Sequence, residues 1–197
     1  YFDIRLAEAI TMTGQTVIKQ CEATINTELN KMLNTKSRDY VIAMDTDSLY
    51  VNFAPFVEKF NPKDPVDFLD KVCETHFEKL FQRDLHTLFE EQQCRIPRME
   101  MEREVIADKG IWTAKKRYIL NVHNSEGVPY NPPKMKIMGI EAIKSSTPAV
   151  VRDKFKAIFA LIIAGDRHAT QKFIADFKQD FKSLEPHEVA FPRSIAL

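Results

Sequence analysis

No stretch of these 197 residues is apolar for long enough to cross a membrane, because charged or polar side chains interrupt every run well before the roughly 20 apolar residues a span needs. The opening Tyr1-Phe2-Asp3-Ile4-Arg5 lacks the basic-then-apolar layout of a secretory leader, and the two absences together predict an intracellular protein. Cysteine is scarce. Cys21, Cys73 and Cys94 are odd in number and far apart, with no CxxC spacing or Cys/His pairing; this argues against zinc and leaves buried or indifferent thiols. The histidines His76, His86, His123, His168 and His187 show no metal-ligand spacing either. Net charge is also missing, since 28 Lys and Arg balance 28 Asp and Glu, so no domain-wide field draws a polyanion.

What is present is a charge that changes sign along the chain. Residues 57–108 hold 8 basic and 13 acidic side chains, whereas residues 109–156 hold 10 basic and 3 acidic ones. A basic stretch of that density suits phosphates, and it equally suits a solvated face with no ligand.

The order of elements predicts an α+β fold. Apolar or small residues at Ile4, Ala7, Ile10, Gly14, Val17, Cys21, Ile25, Leu29 and Met32 recur at helical steps and predict one long amphipathic helix over 4–33, entered mid-helix. Tyr40–Met44 and Ser48–Phe53 are β-prone runs separated by Asp45-Thr46-Asp47, which predicts a tight hairpin with aspartates at its tip. Asp64-Pro65 opens a second helix over 64–92 that ends before Pro97. Residues 99–107, 111–122 and 134–140 read as strands, with Gly110, Gly127 and Pro132-Pro133 as breaks. Thr147-Pro148 caps a third helix that stops near Gly165, a fourth carries Phe173, Ile174, Phe177 and Phe181, and residues 192–197 trail off. The expected architecture is an antiparallel sheet carrying the aspartate turn, with the helices of 4–33 and 64–92 packed on one face.

Two aspartates on one turn hold two carboxylates within a few ångströms, and their repulsion is relieved by a cation between them. Mg²⁺ suits such a pair, because it takes oxygen ligands and is commonly held by one or two carboxylates plus substrate phosphates. The same four residues, Asp45-Thr46-Asp47-Ser48, also make an ordinary Asx-type turn.

The surrounding string goes further. Val41-Ile42-Ala43-Met44-Asp45-Thr46-Asp47-Ser48-Leu49-Tyr50-Val51 resembles motif C of family B DNA polymerases, in which a strand-turn-strand presents the DTDS aspartates to metal ions. Downstream, Trp112-Thr113-Ala114-Lys115-Lys116-Arg117-Tyr118 resembles the family's KKRY element. Lys134-Met135-Lys136-Ile137-Met138-Gly139 with Lys144-Ser145-Ser146-Thr147-Pro148 resembles the stretch leading into its thumb. The likeness is to the T-even-type bacteriophage branch of the family and runs over most of the chain, starting with the opening string, which resembles the helix after motif B. One residue departs: the family usually has glycine before the first aspartate, and Met44 stands here.

The resemblance implies the C-terminal half of a polymerase palm over 1–140, the start of a thumb over 141–197, and template-directed nucleotidyl transfer from dNTP to a primer 3′-hydroxyl. Motifs A and B are not in this sequence, nor are the fingers, exonuclease and amino-terminal domains, so the implied site is partial and the isolated chain is expected to be inactive. By the same resemblance Asp47 is the bridging catalytic ligand of two Mg²⁺ ions, with Mn²⁺ as a substitute. Asp45 is the outer ligand, and Glu104 and Glu102 are further metal ligands. Glu102 and Glu104 lie two apart on the predicted strand and so share a face. Thr46 and Ser48 are placed beside the nucleotide. Lys115, Lys116, Arg117 and Tyr118 are placed on the primer strand, with Lys116 and Tyr118 expected to share the DNA-facing side, and Lys134, Lys136 and Lys144 on the duplex backbone. Implied partners are primer-template DNA, dNTP, the remaining polymerase domains and a sliding clamp, in the cytoplasm of a phage-infected bacterium. The other reading is a non-catalytic nucleic-acid-binding module whose aspartates only form the turn.

Overall fold

The structure, a computed structural model, describes residues 3–96 and 98–193. Tyr1, Phe2, Pro97 and residues 194–197 lie outside the described residues, and with them parts of the opening string, of the second helix's stop and of the trailing end. The chain divides into two compact units, Tyr1–Ile106 and Ala107–Leu197, and the expected 140/141 boundary falls inside the second.

In the first unit, α1 runs over Ile4–Leu33 as its periodicity requires. At its first described turn the Asp3 carboxylate accepts from the Arg5 N–H at 2.9 Å. It ends where Asn34 turns left-handed at φ 55°. Strands β1 (Val41–Asp45) and β2 (Ser48–Val51) form the expected antiparallel hairpin. β2 is shorter than the apolar run suggested, because Asn52 accepts from the Ala54 N–H at 3.0 Å and starts a helix the sequence reading missed, α2 (Ala54–Phe60). Asp64 caps the second predicted helix through the Val66 and Asp67 N–H groups. That helix is α3 (Pro65–Val72), a π turn (Cys73–Phe77) and α4 (Glu78–Glu91) in continuous succession.

Burial holds these pieces around the hairpin. Ile25 and Leu29 of α1 pack with Tyr40, Phe56, Cys73 and Phe77, all nearly or fully removed from water. Phe77 stands 5.3 Å from Phe53 and 6.0 Å from Phe56, ring centre to ring centre. A second cluster joins Val17 and Cys21 of α1 to Leu85 and Phe89 of α4, with Leu49 of β2 and Met101 against it. The alternation along β1, with Val41, Ala43 and Asp45 half-buried and Ile42 and Met44 exposed, leaves the other face of the hairpin open. Burying one face of the hairpin on α1 and α4 is what the period-2 pattern encodes.

The second unit carries β3 (Val105–Ala114), β4 (Arg117–Ser125) and β5 (Val128–Met138), a three-stranded sheet in that order. The strands therefore form two sheets, where the sequence reading had one. Residues 99–104 are not in a strand, and the predicted strand 111–122 is split by a two-residue turn at Lys115-Lys116. Pro132-Pro133 is not a break: it lies within β5, whose register against β4 slips between the pairs Val122↔Lys134 and Asn124↔Pro129. An edge strand with a bulge tolerates prolines, because no ladder bond is asked of their nitrogens. After a 3₁₀ turn at Glu141–Ile143 come α5 (Ala149–Ala164), α6 (Arg167–Ser183) and the short α7 (Pro186–Val189). Ile119, Ala142, Phe159 and Ile163 make the core, so α5 covers one face of the sheet. Thr147 does not cap α5. Its buried hydroxyl donates to the Glu141 carbonyl at 2.7 Å and fastens the 3₁₀ turn instead. Among the described residues no helix is long and apolar enough to cross a membrane.

Candidate functional site

The hairpin has the shortest loop an antiparallel pair allows. Asp45 and Ser48 are register partners, which leaves Thr46 and Asp47 as the two loop residues and puts both aspartates at the tip. The two carboxylates are not equivalent. Asp45 is half-buried and folds back on its own loop, accepting from the Thr46 N–H at 2.8 Å and the Thr46 hydroxyl at 3.2 Å. Asp47 is exposed and makes no hydrogen bond or ion pair among the described residues. Asp45 is thus partly spent on shaping the turn, while Asp47 keeps its oxygen lone pairs for another cation or donor. Ser48 is half-buried at the start of β2 and Thr46 exposed beside the aspartates.

Met44 takes the usual glycine's place without strain. It pairs with Leu49, points to the open face of the hairpin and has no positive φ, so the approach to Asp45 is ordinary strand. Behind the tip, α1 passes with its single glycine: a methyl at Gly14 would lie 3.9 Å from the Thr46 carbonyl oxygen.

Glu102 and Glu104 precede β3 in chain without regular structure, not in a strand. Burial still alternates from Met101 to Val105, with both glutamates on the exposed side and Arg103 turned inward. Arg103 ion-pairs with Asp70 of α3, and its N–H donates to Glu78 of α4 at 3.0 Å, so the helices decide which way the glutamates face. Among the described residues no three His, Cys, Asp or Glu side chains gather around one point, so Glu102 and Glu104 do not complete a metal cage with Asp45 and Asp47. The hard oxygen donors at the hairpin tip fit Mg²⁺ or Mn²⁺ in kind but are too few to hold an ion by themselves.

The residues that steady the hairpin were not anticipated. Asn30 of α1 donates to the carbonyls of Asn26 and Arg38, both at 2.7 Å, and accepts from the Arg38 N–H at 2.9 Å and the Thr35 hydroxyl at 2.8 Å. Asn26 accepts from the Tyr40 N–H at 2.8 Å and donates to Asp39 at 3.0 Å. Two asparagines four apart thus clamp the loop that feeds β1. Their one sequence signal is asparagine recurring on one face of a helix interior, where it is a weak helix former.

In the second unit the basic residues fall into two settings. Lys115 and Lys116 form the β3–β4 turn, with Lys116 left-handed at φ 62°, so strand alternation does not decide where they point. Tyr118 lies within β4, only 8% exposed, with its ring 6.2 Å from that of Trp112. The expectation that Lys116 and Tyr118 share a face is corrected on both counts. Directly paired residues of antiparallel strands share a face, and the pairs Tyr118↔Met138, Leu120↔Lys136 and Val122↔Lys134 therefore set Lys134 and Lys136 on the side of Tyr118. Ile119 and Ile137, which pack toward α5, take the opposite side. Lys134 stands over the Tyr130 ring at 5.4 Å, Arg117 is exposed, and Lys144 pairs with Glu141 at 2.8 Å.

No family model matches the chain. It is similar to the DNA-directed DNA polymerase of Escherichia phage RB69, at 39% identity over 79% of this chain and 19% of that protein. It is also similar to the DNA-directed DNA polymerase of Enterobacteria phage T4, at 32% identity over 96% of this chain and 23% of that protein. The chain spans about a fifth of the length of the curated relatives it matches.

Proposed function

We propose that this chain, a homologue of about a fifth of the phage DNA-directed DNA polymerases, is the stretch of such an enzyme that carries the second half of the palm (1–140) and the start of the thumb (141–197). The hairpin tip is the observation that carries the reading: two aspartates on a two-residue turn, one turned inward and one held out. Two Mg²⁺ ions, when bound, would supply charge neutralisation at the nucleotide's phosphates and acidify the primer 3′-hydroxyl. Asp47 is the residue whose lone pairs face outward to hold them. Asp45 contributes as an outer ligand while shaping the turn, Thr46 and Ser48 lie beside the nucleotide, and Glu102 and Glu104, which are not gathered with the aspartates, are left out of the ligand set. The further carboxylate that a closed site needs comes from elsewhere in the parent protein.

Primer-template DNA and dNTP are the proposed substrates. Lys115, Lys116 and Arg117 meet the primer strand from the turn. Lys134, Lys136 and Lys144 are assigned to the duplex backbone, and Tyr118 acts by packing behind the contact surface. Lysine acts on phosphate as a point charge that positions DNA without reading sequence. The remaining polymerase domains and a sliding clamp complete the proposed assembly, in the cytoplasm of an infected bacterium.

Primer extension tests this reading. The 197-residue chain with Mg²⁺ and four nucleotides is expected to extend no primer, because positioning and charge stabilisation are nearly all the catalysis phosphoryl transfer offers, and half of both is elsewhere. In the parent polymerase, Asp47→Asn is expected to keep the fold and lower incorporation by several orders of magnitude, with Asp45→Asn doing less. Template-dependent product that survives Asp47→Asn refutes the assignment.

A further inference from the structure

The β3–β4 turn and the end of β5, far apart in the sequence, meet at one glycine. Gly139 follows β5 with φ +65°, and a methyl on it would overlap the carbonyl oxygen of Lys116 while standing 3.1 Å from that carbonyl's carbon and 3.2 Å from Cγ of Arg117. Lys116 is itself left-handed at φ 62°, uncommon for a lysine and in keeping with a two-residue hairpin turn. Bare backbone at 139 lets β5's end close against the turn, and an L side chain would meet both the unfavourable φ and the Lys116 carbonyl. The next residues extend the latch. Glu141 accepts from Lys144 at 2.8 Å, and its carbonyl accepts from the buried Thr147 at 2.7 Å. The Glu141 carboxyl is held below its usual range by the Lys144 hydrogen bond first and by the nearby Arg117 charge as well.

We propose that Gly139 is a positioning residue for DNA binding: by seating its bare Cα against the Lys116 carbonyl, it holds the Lys115–Arg117 turn in the shape that presents Lys116 to a phosphate. The inference rests on the reading of that turn as a DNA contact. It adds a residue with no charge and no hydrogen-bonding side chain to the determinants of phosphate binding.

The experiment is a salt titration of primer-template binding by the 197-residue chain and by Lys116→Ala, Gly139→Ala and the double variant, each checked for folding by circular dichroism and Trp112 emission. Lys116→Ala is expected to flatten the slope of log K against log salt by about 0.9, one phosphate's worth. Gly139→Ala is expected to flatten it at least as much, and adding Lys116→Ala to it changes nothing further, as for two residues acting through one contact. A Gly139→Ala chain that melts earlier but keeps the parent slope makes the glycine a merely structural residue and overturns the proposal. A parent slope unchanged by Lys116→Ala overturns it differently, by removing the DNA contact itself, and this is seen without the glycine variant. Should Gly139→Ala not fold, amide shifts of the parent chain on titration with the duplex decide: Lys116 and Gly139 are expected to move together, and movement at Lys116 without Gly139 refutes the coupling.

Discussion

Replacing Asn30 by alanine isolates the clamp behind the aspartate hairpin. Four hydrogen bonds are lost, two of them part-buried, and the Arg38 N–H and Thr35 hydroxyl lose their acceptor. At about 0.5–0.75 kcal/mol net for each partly solvated bond, the loss is about 2–3 kcal/mol. Position 30 lies in the last turns of α1, where alanine is about 0.5 kcal/mol better than asparagine, so about 2 kcal/mol of destabilisation remains. The cost should be local. The lost bonds fasten residues 34–40 to α1, and Tyr40 N–H and the Tyr40 hydroxyl are next in the same chain through Asn26 and Thr35. Amide hydrogen exchange measures this directly: amides across 34–51 are expected to exchange roughly 30-fold faster, the equivalent of about 2 kcal/mol, while those of β4 and α5 keep their rates. Trp112, the sole tryptophan, lies in the second unit and should keep its emission. Exchange across 34–51 within about threefold of the parent would refute the clamp. So would acceleration spread equally over both units.

Other outcomes follow from burial and charge. Phe77→Ala removes a ring that is 2% exposed and touches Phe53 and Phe56, and is expected to cost about 3–5 kcal/mol in urea unfolding. Burial pushes the Cys21 thiol up to about 11 and the Cys73 thiol up to about 12, from an ordinary 9.0. The folded chain thus holds these protons more tightly than the unfolded one, so the stability they contribute is complete below pH 9 and is lost as pH rises through the folded values. Unfolding at pH 10 against pH 8 should show a loss of about 1 kcal/mol per thiol, and serine at both positions should remove the dependence. Mn²⁺ titration followed by amide line-broadening is expected to reach residues 44–49 weakly and to stop reaching them in Asp47→Asn; equal broadening in parent and variant would leave the tip a plain turn.

The sequence by itself determined the elements whose signal is local. The helical spacing from Ile4 to Met32, the Asp64-Pro65 start and the paired β-prone runs around Asp45-Thr46-Asp47 each state their structure within a few residues, and the three motif strings in order identified the relatives. Residues 99–104 were misread because an alternating pattern records which side is wet but not whether a neighbouring strand supplies hydrogen bonds. Here Arg103 reaches Asp70 and the Glu78 carboxylate instead. The turn at Lys115-Lys116 was invisible for a related reason: lysine carries no turn signal, and the backbone packed against the turn, at Gly139, lies more than twenty residues away. Tertiary structure alone decided that two asparagines of α1 hold the loop feeding β1 and that Tyr118 is covered. Each is a matter of which groups the fold brings within hydrogen-bonding or van der Waals reach, and the one-dimensional order of residues does not contain those distances.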